Sequence, residues 1–517
     1  MNENKKRFVA TALSLIFAMS VISTNVYAAS SDSNPPGGSM MGDPPGGSMM
    51  GDPPGDPPGD PPDGMPGGPG GMGGDAASVS YTGASTIDSS AIAEDASYKS
   101  TTGGENALLV SGGESTLKNI TVTKSGDESS ESSDFYGTNA AVLVYNGATL
   151  NMEGGSITTD GAHANGVFAY GTGTVNINGT TVSTSSNNSG GIMVTGGGTL
   201  NATNLTVETQ GNSSAAIRSD RGGGTMNVTG GTYTTHGQGS PAIYSTADIT
   251  VNDAQLISTS SEGVVVEGAN SVTLNNTILT DTNNTLNGQS ETYKNIFLYQ
   301  SMSGDASEGT AHFTANNSHI ITNQGDTFYI TNTTSVITLS NNAIVNNDAT
   351  GVFLRAAASA WGKSGSNGGK VTLNMSNQTA EGDIVIDSIS SLAMSMTEGS
   401  AYKGAINGDN QGSSISLTLD ADSVIVLTGD SYVDSLTNAD SDNSNIYLNG
   451  YKFYVGGTEI SANDGEAPEV TTEIQTTASE SSEFPTTIVI AGVVILLIAA
   501  GCTAFLLVKG KRKETAA

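Results

Sequence analysis

Short apolar runs recur along residues 78–460 at a nearly constant spacing. The first set comprises residues 141–144, 166–169, 191–194, 215–217, 241–243 and 263–266. A second set holds Leu150, Val175, Leu200, Met226, Ile249 and Val272, and a third holds Ile157, Val182, Val207, Tyr233 and Leu256. The spacing is 25 residues in the early repeats, and later steps range from 23 to 26.

This pattern predicts three short strands per turn, separated by turns rich in Gly, Asn, Ser and Thr. A repeated unit of this kind is typical of a three-faced β-solenoid, in which each strand pairs with the equivalent strand of the next turn. We therefore predict an all-β fold, a right-handed parallel β-helix over residues 78–460. A β-propeller is the alternative, but its blades use about 40–45 residues for four strands, which does not match the spacing. From Lys370 onward the pattern loosens, and we expect the last turns and a cap there.

The two ends of the chain predict export and a membrane anchor. Residues 1–28 combine Lys5, Lys6 and Arg7 with an apolar run and small residues before a cleavage point, which is typical of a signal peptide. Residues 486–508 are apolar and long enough for a transmembrane helix, and a basic tail follows at 509–517. Basic residues beside a span stay in the cytoplasm, so we expect a single-pass protein of the plasma membrane with an extracellular ectodomain.

A wall-sorting signal is an alternative to simple membrane tethering. Residues 484–488 (FPTTI) resemble the Leu-Pro-x-Thr-Gly motif that sortases cleave. Phe484 replaces the leucine and Ile488 replaces the glycine, so we favour membrane tethering.

Two linkers flank the predicted solenoid. Residues 29–77 repeat the sequence PPGGSMMGD and shorter PPGD units, with hardly any branched apolar side chains. Such a segment cannot form a core, and we predict a disordered arm. Residues 461–485, rich in Thr, Ser and Glu, are predicted to form a stalk between body and membrane.

The charge of the chain excludes one large class of function. The net charge is −32, and −37 remains without the predicted signal peptide and tail. So negative a body repels phosphate backbones, which argues against nucleic-acid binding. The single cysteine, Cys502, lies in the predicted span, so we expect neither disulfides nor zinc clusters in the ectodomain.

Several stretches resemble a known family. Residues 215–224 (AAIRSDRGGG), 239–246 (GSPAIYST), 261–268 (SEGVVVEG) and 361–392 are similar to surface proteins of gut-dwelling Gram-positive bacteria with a pectin-lyase-like β-helix. The resemblance covers most of residues 80–460. It implies the fold, whereas members of the family are mostly described as adhesins or surface proteins without a defined ligand.

The turn around Arg218, Asp220 and Arg221 is the best candidate for a charged binding site. Two cations beside an acid could clamp a carboxylated sugar, and His236 follows one strand later. A structural salt bridge that orders the glycine-rich turn is the default interpretation of such a charged turn. Because the ordered acidic ligands of the lyases are not matched, we predict no catalytic residues.

A serine-rich loop carries four acidic residues, Asp127, Glu128, Glu131 and Asp134. We expect no cofactor, although acid-rich loops of this kind allow weak Ca²⁺ binding.

A second candidate surface follows from the alternation of side chains along the third set of strands. The predicted outward residues form a ladder over five turns: Thr121 and Thr123, Ser156 and Thr158, Thr181 and Ser183, Thr206 and Glu208, Thr232 and Thr234. Such a ladder could contact glycans, although threonine also suits exposed strands for its own sake.

Together these features predict a non-enzymatic cell-surface protein, an adhesin or binding platform for an extracellular glycan or a host or community protein. A polysaccharide lyase or glycoside hydrolase on the same scaffold is the alternative.

Overall fold

Successive turns of the chain stack on one another through parallel strands. The computed structural model describes residues 79–288 and 290–470, which form a parallel β-solenoid of about 15 turns. Almost all pairings join a strand to its equivalent one turn later, as in Val142 with Val167 and Val167 with Ile192. The predicted solenoid with three strands per turn is therefore confirmed, and the propeller alternative is excluded.

The strands follow one another from Thr86 to Glu459. Those of the first five turns are β1 (Thr86–Ile87), β2 (Ile92–Glu94), β3 (Ser97–Ser100), β4 (Leu108–Val110), β5 (Glu114–Lys118), β6 (Thr121–Lys124), β7 (Val142–Val144), β8 (Thr149–Glu153), β9 (Ser156–Thr159), β10 (Val167–Tyr170), β11 (Thr174–Asn178), β12 (Thr181–Thr184), β13 (Ile192–Thr195) and β14 (Gly198–Thr209). The central turns contain β15 (Ile217–Ser219), β16 (Gly224–Thr235), β17 (Ile243–Ser245), β18 (Asp248–Asn252), β19 (Gln255–Ser258), β20 (Val264–Glu267), β21 (Ser271–Asn275), β22 (Ile278–Asp281), β23 (Lys294–Tyr299), β24 (Thr310–Asn316), β25 (His319–Thr322), β26 (Asp326–Thr331), β27 (Thr333–Ser340), β28 (Ala343–Asn346) and β29 (Leu354–Ala356). The last turns contain β30 (Gly369–Ser376), β31 (Thr379–Glu381), β32 (Ile384–Ile386), β33 (Ser391–Thr397), β34 (Ala401–Lys403), β35 (Ser414–Leu419), β36 (Val424–Val426), β37 (Ser431–Val433), β38 (Ser435–Asn438), β39 (Ile446–Tyr447), β40 (Phe453–Val455) and β41 (Thr458–Glu459).

The strands form three faces. The first face is a 12-stranded sheet that runs from β1 through β4, β7 and β10 to β32. The second and third faces belong to one 22-stranded sheet, because β14 and β16 each continue from the second face into the third. A four-stranded sheet of β31, β34, β36 and β39 follows in the last turns.

Alternation of side chains along each strand fills the interior. In β11, Val175 and Ile177 are buried and point inward, whereas Asn176 between them points outward. Val175 stacks on Leu150 of the preceding turn and on Leu200 of the next. Each such side chain stabilises the fold by about 1.5–3 kcal/mol when fully buried, so the continuous ladder supplies the core that three-residue strands lack individually.

Asparagine and glycine form the sharp bend between the second and third faces. Asn119 and Asn204 adopt left-handed backbone conformations there, with φ of 49° and 51°. Asparagine tolerates this region better than other side chains with a Cβ atom. The recurrence of Asn and Gly at this point in the repeat is therefore set by backbone geometry.

The end of the solenoid is closed differently from its body. Tyr454 and Val455 of β40 pair in antiparallel fashion with β41, in contrast to the parallel pairing elsewhere. The strands beyond Lys370 continue the stack, in line with the predicted last turns and cap.

The predicted signal peptide, arm, membrane span and tail lie outside the described residues, as do residues 471–485 of the predicted stalk. Within the described part of the chain, no helix is both long and apolar enough to cross a membrane.

One short helix interrupts the described solenoid. Helix α1 (Glu131–Tyr136) lies in the loop between β6 and β7. The hydroxyl of Ser130 caps its start by accepting a hydrogen bond from the Ser132 amide, and Gly137 ends it with φ of 72°. This loop is the serine-rich, acidic segment singled out in the sequence.

Candidate functional site

The outward-pointing side chains of the first face are mostly apolar, whereas side chains on the outside of a solenoid are normally polar because they meet water. One outward row, in register from turn to turn, consists of Leu109, Leu143, Phe168, Met193, Arg218, Tyr244, Val265, Phe297, Tyr329 and Arg355. Leu143, Phe168 and Met193 are fully buried, and Val265, Phe297 and Tyr329 are nearly so. Loops from the turns cover this row, so the first face carries a second layer outside the solenoid.

The predicted charged turn lies under this layer. Arg218 occupies the outward position of β15, and its Nη2 lies 3.1 Å from Oδ2 of Asp220. Their side chains are only 12% and 7% exposed. Burial raises the pKa of Asp220 to about 6, although the nearby Arg218 opposes this shift. Burial lowers the pKa of Arg218, but the carboxylates of Asp220 and Asp134 outweigh it, so the pKa of the guanidinium is raised.

Arg221 joins two loops rather than facing solvent alone. Its guanidinium lies 3.7 Å from the ring centre of Phe135 in α1, and its Nε donates to a carboxylate oxygen of Asp305. In the same region, Asp134 of α1 lies 2.9 Å from Nδ1 of His163. These contacts attach α1 and the loop 300–309 to the first face. Arg218 is thus paired with Asp220, and Arg221 with Asp305, within the fold.

His236 does not join this cluster. Its ring nitrogens lie 3.1 Å from Thr259 Oγ1 and 3.1 Å from Glu208 Oε1, at the end of the third face. His236 follows one strand after the arginine turn in the chain, and that strand, β16, carries it away from the first face.

The acidic loop directs its carboxylates to its own structure. Asp127 accepts from the Ala162 amide, and Glu128 accepts from the amides of Ser129 and Ser130. Among residues 79–288 and 290–470, no group of three or more His, Cys, Asp or Glu side chains is arranged to hold a metal ion.

The threonine ladder lies on the third face with the side chains aligned from turn to turn. Thr121 aligns with Ser156, Ser156 with Thr181, Thr181 with Thr206, and Thr206 with Thr232. Thr123, Thr158, Ser183, Glu208 and Thr234 form the parallel row. Thr121, Thr158, Thr181 and Thr206 are exposed, and Thr123, Thr232 and Thr234 are half-buried. Further along this row the equivalent positions are Ile257, Thr280, Ile321 and Val345, so Ile257 interrupts the polar ladder after Thr234.

A second outward array was not singled out in the sequence. On the second face, Asn151, Asn176, Asn201 and Asn227 stack in register. The side-chain amides of Asn176, Asn201 and Asn227 each donate to Oδ1 of the asparagine one turn earlier, at 2.8–2.9 Å. Asn151, the first of the row, donates to Oε1 of Glu114 at 3.0 Å. The signal was available as the repeated pattern Thr-x-Asn at residues 149–151, 174–176, 199–201 and 225–227. Because the amides satisfy one another, this array is primarily structural.

An enclosed hollow on the first face is lined by aromatic and charged side chains. Its floor consists of Lys294, Phe297, Tyr329 and Arg355 from three adjacent strands. Residues 290–292 line it from one loop, and residues 357–359 together with Trp361 line it from another. We call this cavity, of about 220 Å³, the first-face pocket.

Aromatic rings are concentrated around this pocket. The ring of Trp361 packs edge-on against Tyr299 with centroids 5.1 Å apart, and Phe297 stacks on Tyr299 at 4.5 Å. Tyr299 itself donates to Glu267, a buried carboxylate that also accepts from Tyr244 and Ser301. In a chain with only 5% aromatic residues, this concentration marks the pocket as unusual.

Both cations of the first-face pocket are paired with carboxylates. Arg355 donates through Nε to Oδ2 of Asp326 at 2.6 Å, and Lys294 Nζ lies 3.3 Å from Oε1 of Glu262. Lys294 also lies 4.5 Å from the ring centre of Phe297. Burial raises the pKa of Tyr329, although Arg355 lowers it, so Tyr329 stays a neutral hydroxyl at physiological pH.

A polar groove, more open than the first-face pocket, lies on the loop that contains Trp361. It is lined by residues 300–302, 308–310 and 332–334, together with Gly362, Lys363, Ser366 and Lys370. Within the described residues, neither Lys363 nor Lys370 forms a salt bridge, in contrast to the cations of the first-face pocket.

Sequence reasoning missed the first-face pocket, although two signals pointed to it. The spacing of about 25 residues increases to 41 between Asn275 and Asn316, which reveals inserted loops in that turn. Trp361 is the single tryptophan of the chain and lies in a loop that also interrupts the repeat.

No protein-family model matches the chain, and a search of curated proteins likewise gave no match.

Proposed function

We propose that this protein is a non-enzymatic adhesin or binding platform that recognises glycans at the cell surface. The observation that carries the proposal is the first-face pocket, in which Trp361 and Tyr329 stand beside Arg355. Flat aromatic rings and a few convergent polar groups are the usual lining of small-ligand sites. The aligned threonines of the third face offer a second polar surface on the same solenoid.

The cellular setting of this proposal comes from the sequence. A signal peptide at 1–28 and a membrane span at 486–508 would place the solenoid outside a plasma membrane. The resemblance to pectin-lyase-like, right-handed β-helix surface proteins of gut Gram-positive bacteria supports the same assignment. An extracellular glycan, or a protein that carries one, is then the natural partner.

A glycan array probed with the full chain tests the proposed function. We expect selective binding that is lost in Trp361→Ala and retained in Tyr451→Ala, which removes an exposed aromatic side chain elsewhere. If the wild-type chain binds no glycan above background, the proposal is wrong.

Fractionation of the producing cells tests the anchor. We expect the full chain in the membrane fraction, and release into the medium when residues 486–517 are deleted. Retention by the wall, with release only on wall digestion, would replace the membrane tether by sortase attachment at residues 484–487.

An enzyme is the second candidate, favoured by one observation. Asp220 is a carboxyl group whose pKa is raised by burial to about 6, and it lies beside Arg218. Raised carboxyl pKa values beside a cation are common at catalytic sites. A uronate-lyase and glycosidase assay with about 1 mM Ca²⁺, in the range of extracellular calcium sites, tests this candidate. Turnover by the wild-type chain that is lost in a folded Asp220→Asn variant would overturn the non-enzymatic adhesin.

A further inference from the structure

The first-face pocket has an electrostatic character that restricts what it can bind. Asp326 contacts Arg355 through two carboxylate oxygens, at 2.6 and 3.4 Å. Glu262 lies 3.3 Å from Lys294, whose ammonium also donates to Ser290 Oγ and to the Thr292 carbonyl, both at 3.0 Å. Each cation thus has a carboxylate partner, and the remaining charged residue of the lining, Glu291, is acidic.

We therefore expect the pocket to bind anionic ligands weakly, because both of its cations are already paired with carboxylates. A carboxylate or sulfate that accepts from Arg355 would lie beside the carboxylate of Asp326, and one that accepts from Lys294 would lie beside that of Glu262. Like charges at such short range repel, and displacing either carboxylate would leave it without its cation. The approaching anion would also meet an ectodomain with a net charge of −37. Lys363 and Lys370, which form no salt bridge within the part of the chain that the structure describes, line the adjoining groove and not this pocket.

A neutral sugar fits the same lining. One face of a pyranose ring carries C–H groups that pack against an aromatic ring, and its hydroxyls form hydrogen bonds without charge. Trp361 supplies the ring for stacking above a floor that includes Tyr329, and Glu291 supplies acceptors. Nη1 of Arg355 supplies donors, because Asp326 is contacted by Nε and Nη2. Aromatic and polar groups are thus present without an unpaired positive charge.

The size of the pocket limits how much of a glycan it can take. Its volume of about 220 Å³ lies below the range of roughly 300–1,000 Å³ that holds a drug-sized ligand. Residues 290–292 line it from one loop, and residues 357–359 together with Trp361 line it from another, above the strand floor. A cavity of this volume can enclose about one sugar ring, so the further rings of a glycan would lie outside it.

We propose that the first-face pocket binds a single neutral pyranose, the terminal residue of a glycan, with its C–H face against Trp361. This inference rests on the proposed glycan-binding function and specifies the class of sugar and the site.

Tryptophan fluorescence of the full chain tests the inference directly, because Trp361 is the single tryptophan and its emission reports on this pocket. The probes are methyl glycosides of neutral hexoses and N-acetylhexosamines, compared with those of glucuronate and galacturonate. We expect a saturable emission change with at least one neutral glycoside, and an affinity for the matched uronate at least about tenfold weaker. Between 50 and 500 mM NaCl the neutral affinity should change less than about twofold, because no ion pair forms.

Calorimetry on two variants provides a readout that does not depend on emission. Trp361→Phe keeps an aromatic surface and should retain binding within about fivefold, whereas Trp361→Ala should abolish it. Tyr451→Ala serves as the control and should bind like the wild type.

The outcomes separate this inference from the proposed function. Preferential binding of a uronate at Trp361, or a neutral sugar that binds without changing Trp361 emission, overturns the inference and leaves glycan binding intact. Absence of any glycan binding, on the array and in the titrations, overturns both.

Discussion

Nη2 of Arg218 lies 3.1 Å from Oδ2 of Asp220, two residues further along the chain, and both side chains are almost entirely buried. The pair lies beneath the loops that cover the first face, with Asp134 of α1 close enough to influence the guanidinium. A charge pair in this position stabilises the fold only while both partners are present, because each would be costly to bury alone.

Removal of Arg218 is therefore expected to destabilise the protein strongly. Arg218→Ala leaves Asp220 buried without its cation, and we expect a loss of about 3–5 kcal/mol in the free energy of unfolding, measured in urea. Lys118→Ala is the matched control, since Lys118 and Glu153 form an exposed ion pair 2.9 Å long. Exposed pairs contribute little, and an equal effect of the two substitutions would contradict this account.

The stability of the Asp220 site should depend on pH in a defined direction. Burial raises the pKa of Asp220 to about 6, above its ordinary value of 3.8. A raised carboxyl pKa stabilises the fold at low pH, and this contribution is lost as the pH rises from about 4 through about 6. Asp220→Asn cannot ionise, so its stability relative to the wild type should increase between pH 4 and pH 7. Parallel stability curves for the two proteins over this range would show that Asp220 does not titrate in this way.

Two buried tyrosines should respond oppositely to loss of the hydroxyl group. Tyr233 is fully buried and, within the described residues, its hydroxyl has no hydrogen-bond partner. Tyr402 is also fully buried, but its hydroxyl lies 2.8 Å from the carbonyl oxygen of Gly382 and 3.0 Å from that of Ala405. Since an unpaired buried polar group costs about 1–3 kcal/mol, Tyr233→Phe should stabilise the fold and Tyr402→Phe should destabilise it by about 1 kcal/mol. Thermal unfolding of both variants checks the difference in sign, and a loss of stability in both would refute it.

The asparagine ladder of the second face should be sensitive to a single change of charge. Asn201 donates to Asn176 and accepts from Asn227, so Asn201→Asp removes one donor and places a carboxylate against a carbonyl oxygen. We expect a loss of about 1–2 kcal/mol in unfolding free energy. Thr203→Asp, at an exposed position of the same strand, is the control and should have a much smaller effect. Equal losses would mean that the ladder makes no special contribution.

Much of the solenoid could be predicted from the spacing of apolar residues. The positions of Val175 and Leu200, and of Ile157 and Val182, follow from a 25-residue step, and each was placed correctly in the interior. The outward threonines were also identified correctly, because the alternation of side chains fixes which of them share a face. The spacing fails at the insertion between Asn275 and Asn316, where loops are added to the turn.

The candidate site was largely beyond such reasoning. For Arg218 the sequence left open a ligand contact and, as the default, a structural salt bridge; in the fold it lies beside Asp220 beneath a covering loop. Trp361 and Lys294 are separated by 67 residues, and they line one pocket because their turns are stacked. A pattern of neighbouring residues in the sequence does not predict that two side chains so far apart in the chain line one pocket.

The sequence by itself determined that this chain forms a stacked β-solenoid, since alternation within strands and the spacing between them are local properties that select inward and outward residues. The tertiary structure decided which outward residues meet solvent. Loops of different turns fold over the first face, bury Phe168 and Met193, pair Arg221 with Asp305, and leave an opening at Trp361. Those contacts form between segments far apart in the chain, and their energies depend on burial and charge pairing that exist only once the turns are stacked.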